Sequence, residues 1–327
     1  WGRRLLQFLT AGLFSILIVW AIFGFEWGPF WFSEDSLIWL NQFSGPMPTF
    51  WAGIAKIADL GSGGRGAFLN GTYSADGFVA YFPIAFAVKT PLVILLLLGL
   101  AVVVLLGRKE SRKTAVFLLI PPVSYFIFSL TSGLNIGYRH LLPMLPFMLV
   151  LISGLAEGKR QKAEMTHHAS RITPYALWIG IALLITTTLW IHPHYLSYFN
   201  LLAGGPNGGR DLLVDSNVDW GQDLLRLREW QIEHGVDKLK LGYFGTADPA
   251  YYGLQYEPLP GFPREEFYAT LWANPPFNPA APEPGVYAIS VSSLWESHAE
   301  SKNVYPWFRN REPDDQIGYS ILIYEVP

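Results

Sequence analysis

Five stretches of the chain run apolar with almost no charge: Leu5 to Gly24, Pro91 to Leu106, about Ala115 to Leu130, Leu141 to Ala156 and Tyr175 to Ile191. The first has about the 20 residues that a bilayer core requires. The second can begin earlier, because Tyr81 to Val88 is apolar too. Pro121-Pro122 lies inside the third and predicts a kink, since proline removes backbone donors and frees carbonyls that neighbours must satisfy. From His192 to Pro327 the pattern becomes that of a globular chain. Leu212 to Asp215 reads as a short strand, Trp220 to His234 as a helix stopped by Gly235, and Lys238 to Phe244 as an alternating strand. Strand, helix and strand would form one right-handed crossover unit. Val286 to Val291 and Tyr319 to Val326 read as further strands, and the proline-rich Asn274 to Pro284 as a loop.

Basic residues orient the helices. Arg3 and Arg4 precede the first, Arg108, Lys109, Arg112 and Lys113 follow the second, and Lys159, Arg160, Lys162 and Arg171 follow the fourth. Five crossings put all three clusters on one side, which the positive-inside rule makes cytoplasmic. The expectation is an α-helical integral membrane bundle of about five transmembrane helices, N-in and C-out, in a cell (inner) membrane. A small extracytoplasmic α/β or α+β domain follows. Residues 1–192 would be the transmembrane region, with an outer loop over 25–88, and residues 193–327 the domain. The outer loop carries Trp27, Trp31, Trp39 and Trp51, an interfacial belt or amphipathic segments, and a glycine-rich turn at Gly61-Ser62-Gly63-Gly64.

Composition supports the membrane reading. Apolar residues make up 51% and charged residues 15%, against roughly 25% charged in a typical soluble protein. The net charge of −3 conceals a division: the three cytoplasmic segments sum to +7 and the outer parts to −10. No basic excess points to nucleic acid. There is no cysteine, which excludes disulfides, thiolate metal sites and a catalytic thiol.

Candidate chemistry gathers at the outer surface. In Asn135-Ile136-Gly137-Tyr138-Arg139-His140, Arg139 and His140 could clamp a phosphate, Arg139 by paired hydrogen bonds; the alternative is that Arg139 reaches lipid headgroups. Lys89, between apolar flanks, is costly unless paired or near water. It either contacts the same phosphate or anchors the start of the second helix. Glu34-Asp35 is an acidic pair, a base or simply a solvated loop pair. Asp215-Ser216-Asn217-Val218-Asp219 has the alternating oxygens of a calcium loop, but its glycine and glutamate are misplaced. Asp219 reads as a helix N-cap with Gln222 closing a capping box, while Asp215 and Asn217 occupy a ligand position common in α/β units. His192 and His194 are a metal pair or an interfacial pair, and Asn70-Gly71-Thr72 matches a glycosylation sequon. No cofactor is required by these residues, and a divalent metal stays open.

Three strings, Tyr81 to Pro91, Asn135 to Pro146 and Val214 to Asp223, together resemble bacterial family-39-type glycosyltransferases. These are similar to protein O-mannosyltransferases and the lipid A aminoarabinose transferase, in the C-type superfamily. Ile317-Gly318-Tyr319-Ser320-Ile321 fits that group's C-terminal strand, and the resemblance covers essentially the whole chain. It implies a multi-helix membrane enzyme that moves a sugar from a polyprenyl-phosphate donor to an extracytoplasmic protein, lipid or glycan acceptor. It further implies that Arg139, Tyr138, His140 and Lys89 contact the lipid phosphate, and that a catalytic acidic residue follows the first helix of the family. That acidic motif is not found here, and Glu34-Asp35 corresponds to a later loop. With Trp1 rather than Met at the start, the expectation is a C-terminal portion whose catalytic half lies upstream, inactive alone. The alternative is a non-catalytic membrane-anchored protein that binds carbohydrate or partners. A transporter is disfavoured because only Lys89 and Arg139 interrupt the spans, near their ends.

Overall fold

The computed structural model describes residues 2–33, 36–62, 66–159, 169–263, 272–273, 275–295 and 303–327. It is a mixed helix and sheet protein with two compact units, Trp1–Arg65 and Gly66–Pro327. The first unit opens with helix α1 (Gly2–Ile22), which buries no residue. Its hydroxyls are satisfied within the helix, Thr10 Oγ1 donating to the Leu6 carbonyl and Ser15 Oγ to that of Ala11. A helix apolar all round and covered by nothing has the character of a membrane span. At its end Trp20 packs with Phe25 and Trp27, and a short antiparallel pair, β1 (Trp27–Pro29) and β2 (Ser44–Pro46), follows. Glu26 then accepts from the Thr49 backbone N–H and hydroxyl (3.3 and 2.7 Å) at the start of α2 (Pro48–Ser62), where a carboxylate complements the helix dipole. Of the glycine-rich turn expected there, Gly61 and Ser62 end α2, and Gly63 and Gly64 lie outside the described residues, as do Glu34 and Asp35.

The second unit begins with a hairpin, β3 (Ala67–Leu69) and β4 (Thr72–Ser74), turned by Asn70-Gly71 with both φ angles positive, as a tight two-residue hairpin turn demands. Helices α3 (Tyr81–Lys89) and α4 (Leu92–Gly107) meet at 104°. Pro91 disfavours helical geometry at Thr90, which is extended, and offers no N–H to continue the ladder. Helix α5 (Lys109–Ser129) runs through Pro121-Pro122 without a break in its assignment. A 3₁₀ turn, Tyr138–Met144, leads into α6 (Leu145–Ser153), and α7 (Ala169–Ile191) completes the helical part. Ile94, Leu97, Ala101 and Leu105 of α4 pack with Ala115 of α5 and Leu151 and Ile152 of α6. Among the described residues, two helices are long and apolar enough to cross a membrane, Gly2–Ile22 and Tyr138–Ala156, with a third if the bent pair α3–α4 is one span. The five crossings expected from apolar stretches are therefore not all shown: Thr90 breaks the run that would extend the second stretch back to Tyr81, and α5 opens with the charges of Lys109, Glu110, Arg112 and Lys113.

Beyond α7, a short helix α8 (Gly205–Gly209) and helix α9 (Leu224–Glu233) precede strands β5 (Leu239–Gly242) and β6 (Tyr256–Pro258). A two-residue ladder joins β7 (Phe262–Pro263) and β8 (Trp272–Ala273); β9 (Gly285–Ser290), β10 (Asp315–Ile317) and β11 (Ile321–Val326) follow. The main sheet has the order β10-β11-β9-β5-β6, with β9, β5 and β6 parallel and β10 and β11 antiparallel to their neighbours. One face packs on α9 through Leu224, Leu227 and Trp230. The other shares a core with the helical part, where Tyr287, Ile289, Leu322 and Tyr324 join Tyr81, Phe82, Leu141 and Met144. Burial on both faces is why the centres of β9 and β11, Tyr287–Ile289 and Ile321–Tyr324, are apolar at successive positions.

Two expectations are corrected here. Leu212 to Asp215 is not a strand: Leu213 and Val214 are buried, but the segment pairs with no sheet and turns into a 3₁₀ helix at Asp215–Asn217. A short apolar run cannot by itself distinguish these outcomes, so the crossover unit reduces to helix and strand. Nor is Asp219 a helix N-cap. Gly221 has φ +77°, the helix starts only at Leu224, and Asp219 Oδ1 accepts from the Gly221 N–H while Gln222 Oε1 accepts from that of Trp220.

A Cβ at Gly209 would collide with the Phe199 ring, itself 1% exposed. Gly209→Ala should therefore destabilise the fold by about 1–3 kcal/mol through overpacking, read as a lowered melting temperature in detergent or lipid.

Candidate functional site

Asn217 organises the site. It is 1% exposed, and each of its polar groups is engaged. Oδ1 accepts from the Tyr138 backbone N–H (2.9 Å), Nδ2 donates to the Tyr81 hydroxyl and the Val214 carbonyl (both 2.9 Å), and its carbonyl accepts from Lys89 Nζ (2.6 Å). One buried side chain thus joins the strings 81–91, 135–146 and 214–223. Asp215 and Ser216 complete the turn. Asp215, at φ +58°, donates its N–H to Ser292 Oγ, its carboxylate accepts from the Ser216 N–H, and Ser216 Oγ donates to the Ile136 carbonyl. This close approach requires a glycine at 137, where a Cβ would strike Ser216 Oγ. Asp215 and Asn217, the two outer-domain candidates, are therefore committed to internal bonds.

Lys89 is also committed inward. It is 9% exposed, donates to the Leu196 carbonyl (2.8 Å) as well as to Asn217, and lies 4.2 Å from the Phe199 ring centroid. Carbonyl dipoles and an aromatic face stabilise the ammonium in place of a carboxylate, and no salt bridge to it occurs among the described residues. The expectation that Lys89 and Arg139 face one phosphate is not what these bonds show. Arg139 is exposed, with its guanidinium 5.9 Å from the ring of Trp220, which packs in turn on Phe244. The Tyr138 hydroxyl bonds that of Thr90 (2.9 Å). His140 packs edge-on to Phe82, and its Nε2 is buried with no hydrogen-bond partner among the described residues. These residues stand at the start of Tyr138–Ala156, a segment long and apolar enough to cross a membrane.

The fourth string joins through Asp223. This carboxylate is fully buried, accepts from Arg226 (2.6 Å) and Ser320 Oγ (2.7 Å), and lies 3.7 Å from His194 Nδ1, whose ring packs edge-on to Tyr319. Gly318 is left-handed at φ +59°, and a Cβ there would strike the Asp223 carboxylate. His192 instead bonds the Tyr195 hydroxyl, so the two histidines have separate partners. No group of three or more His, Asp or Glu able to hold a metal occurs among the described residues.

Sequence reasoning missed Asn200 and Trp220. Asn200 is 3% exposed and ties the chain after α7 to the α3–α4 break, donating from Nδ2 to the carbonyls of Ala87 (2.6 Å) and Thr90 (2.8 Å). Nothing in its neighbours signals this. A cavity of about 580 Å³ lies elsewhere, lined by Lys240, Glu257, Pro275, Phe277 and Tyr287 among others, and contains none of the residues singled out from the sequence.

Asp219 is fully buried with Oδ2 unpartnered among the described residues. Burial pushes its carboxyl up to about 7, opposed by hydrogen bonds from Ser290 and the Gly221 backbone and reinforced by the charges of Asp223 and Asp215. The folded chain therefore keeps a proton that the unfolded chain releases from its ordinary 3.8 upward. This contribution to stability is complete below about pH 4 and is lost as pH rises through about 7. Asp219→Asn should flatten that decline, measured as melting temperature between pH 5 and about pH 8.

No family model matches the chain, and neither curated proteins nor solved structures give a match.

Proposed function

We propose that this chain is part of a membrane glycosyltransferase that uses a polyprenyl-phosphate-linked sugar, and that the cluster around Asn217 holds the donor at the outer membrane surface. One observation carries the reading. The four strings on which the resemblance rests, far apart in sequence, are bonded together by Asn217, Lys89 and Asp223, and the exposed edge of that cluster is Arg139 on Trp220. A guanidinium at the head of an apolar helix suits a phosphate whose prenyl chain lies in the bilayer.

The residues divide the work by position. Arg139 binds the phosphate and stabilises the negative charge that develops there as the glycosidic bond breaks. Tyr138 and His140 line the same edge. Lys89 acts from beneath as a positioning residue, holding the Asn217 carbonyl and thereby the Tyr138–Arg139 backbone. The carboxylates of Asp215, Asp219 and Asp223 are buried, so the acceptor's base is assigned to none of them. The proposal keeps five crossings with the N-terminus inside and the 193–327 domain outside, supported by the three basic clusters on one side. A second reading, a membrane-anchored protein that binds carbohydrate or partners without catalysis, is favoured by the separate cavity beside Lys240 and Phe277.

Binding separates the two. In lipid nanodiscs a polyprenyl phosphate should bind saturably, and Arg139→Ala should weaken it about tenfold, the worth of one charge-assisted contact. Equal binding by the two proteins would reduce Arg139 to a headgroup anchor. Reporters fused near Met165 and after Pro327 should sit on opposite sides of the membrane; identical readouts would sink the five-crossing topology.

A further inference from the structure

Between α7 and α8 the chain exposes two leucines side by side. Leu201 is 81% exposed and Leu202 62%, on a 3₁₀ turn (Leu201–Ala203) whose third residue, Ala203, is buried. Apolar patches of this kind mark interaction sites when they are continuous. This one is. Trp190, at the end of α7, is 60% exposed, and Tyr195 53%. Gly205, just past the turn, lies against the Trp190 indole, 3.8 Å from where a Cβ would stand. The patch therefore prolongs the exposed apolar face of α7, which includes Ile179, Leu183, Ile185 and Leu189.

The leucines are presented rigidly. Asn200 accepts the Leu202 N–H on its side chain, donates its own N–H to the Val88 carbonyl, and bonds the Ala87 and Thr90 carbonyls. Lys89 holds the Leu196 carbonyl from the same break. No charged residue occurs from Tyr195 to Gly209. A water-facing loop ordinarily carries charge; an uncharged segment whose exposed tip is two leucines, flanked by Trp190 and Tyr195, has the make-up of one lying in the membrane interface.

From this geometry we infer that the Leu201–Leu202 turn inserts into the bilayer where α7 emerges, at the boundary between headgroups and acyl chains. The inference rests on the membrane reading of α7. Its consequence is positional: the turn is bonded to the residues on either side of Lys89, so its insertion sets the height of the Asn217 cluster, and with it Arg139, relative to the headgroups. The occupant is lipid, because the patch continues a face that the membrane reading already places in lipid.

The absence of native cysteine allows single-site labelling. Leu201→Cys, Leu202→Cys, Leu183→Cys on α7 and Lys238→Cys on the exposed Lys238–Glu257 pair would each carry an environment-sensitive fluorophore. The full chain would be reconstituted in phosphatidylethanolamine–phosphatidylglycerol vesicles containing lipid spin-labelled near the top of the acyl chain. Quenching by about half or more at 201, 202 and 183, with 238 unaffected, is expected. Quenching at 183 but not at 201 or 202 would overturn the insertion while leaving the spans intact. Failure to quench 183 would overturn the membrane reading and the insertion with it. Unlabelled Leu201→Cys chains that join through a disulfide instead of meeting lipid would assign the patch to a second copy, which also overturns it.

Discussion

The ammonium of Lys89 has to be satisfied without a counter-ion, and much of the second unit follows from how this is done. An ammonium buried between apolar flanks offers three donors and destabilises the fold unless they find acceptors. The acceptors are the carbonyls of Leu196 and Asn217, so two segments more than a hundred residues away must lie over the end of α3. Thr90 and Pro91 make this feasible by ending α3 there and turning α4 away by 104°. The carbonyls exposed at that break are taken by Asn200. Helices and sheet consequently share one core rather than being joined by a tether.

That shared core explains the character of the sheet. Its helix-facing side contributes Tyr287, Ile289 and Tyr324 to the cluster that contains Tyr81 and Phe82, and its far side packs on α9. Sheet strands apolar on both faces cannot remain in water, and the segment 214–219, which bridges sheet and helices, is buried with them. Its polar residues are then held by internal bonds, and the chemistry left for a ligand lies at the rim, with Arg139 and Trp220. Asp219 is the exception: it is buried with one oxygen unpartnered among the described residues, and burial raises its carboxyl to about 7.

Some of this was legible in the sequence. The apolar stretches located α4, α6 and α7 to within a few residues, the alternation of Lys238 to Phe244 located β5, and the runs from Val286 and Tyr319 located β9 and β11. The strings around Lys89, Arg139 and Asn217 were singled out in the sequence, but their bonding to one another was not. Lys89 reads as an outward cation because an isolated lysine in an apolar run has no partner in sequence; its partners are backbone carbonyls, which any residue supplies. Asn200 was invisible for the same reason. Leu212 to Val214 was misread because burial in a core and pairing in a sheet select the same residue types. Asp219 was misread because a capping pattern was outweighed by Gly221, whose left-handed backbone delays the helix.

By itself the sequence determined the division into apolar helices and a globular tail and the presence of isolated cations at the edges of apolar stretches; the break at Thr90-Pro91 was not read from it. The division and the cations are local properties, set by hydrophobic period and charge. The tertiary structure alone decided which cation faces inward and which outward. Burial of Lys89 depends on carbonyls that arrive only when residues 196 and 217 fold over it, whereas Arg139 stays exposed with its guanidinium against the Trp220 indole. The two differ in the acceptors brought to them, and long-range contacts bring those acceptors.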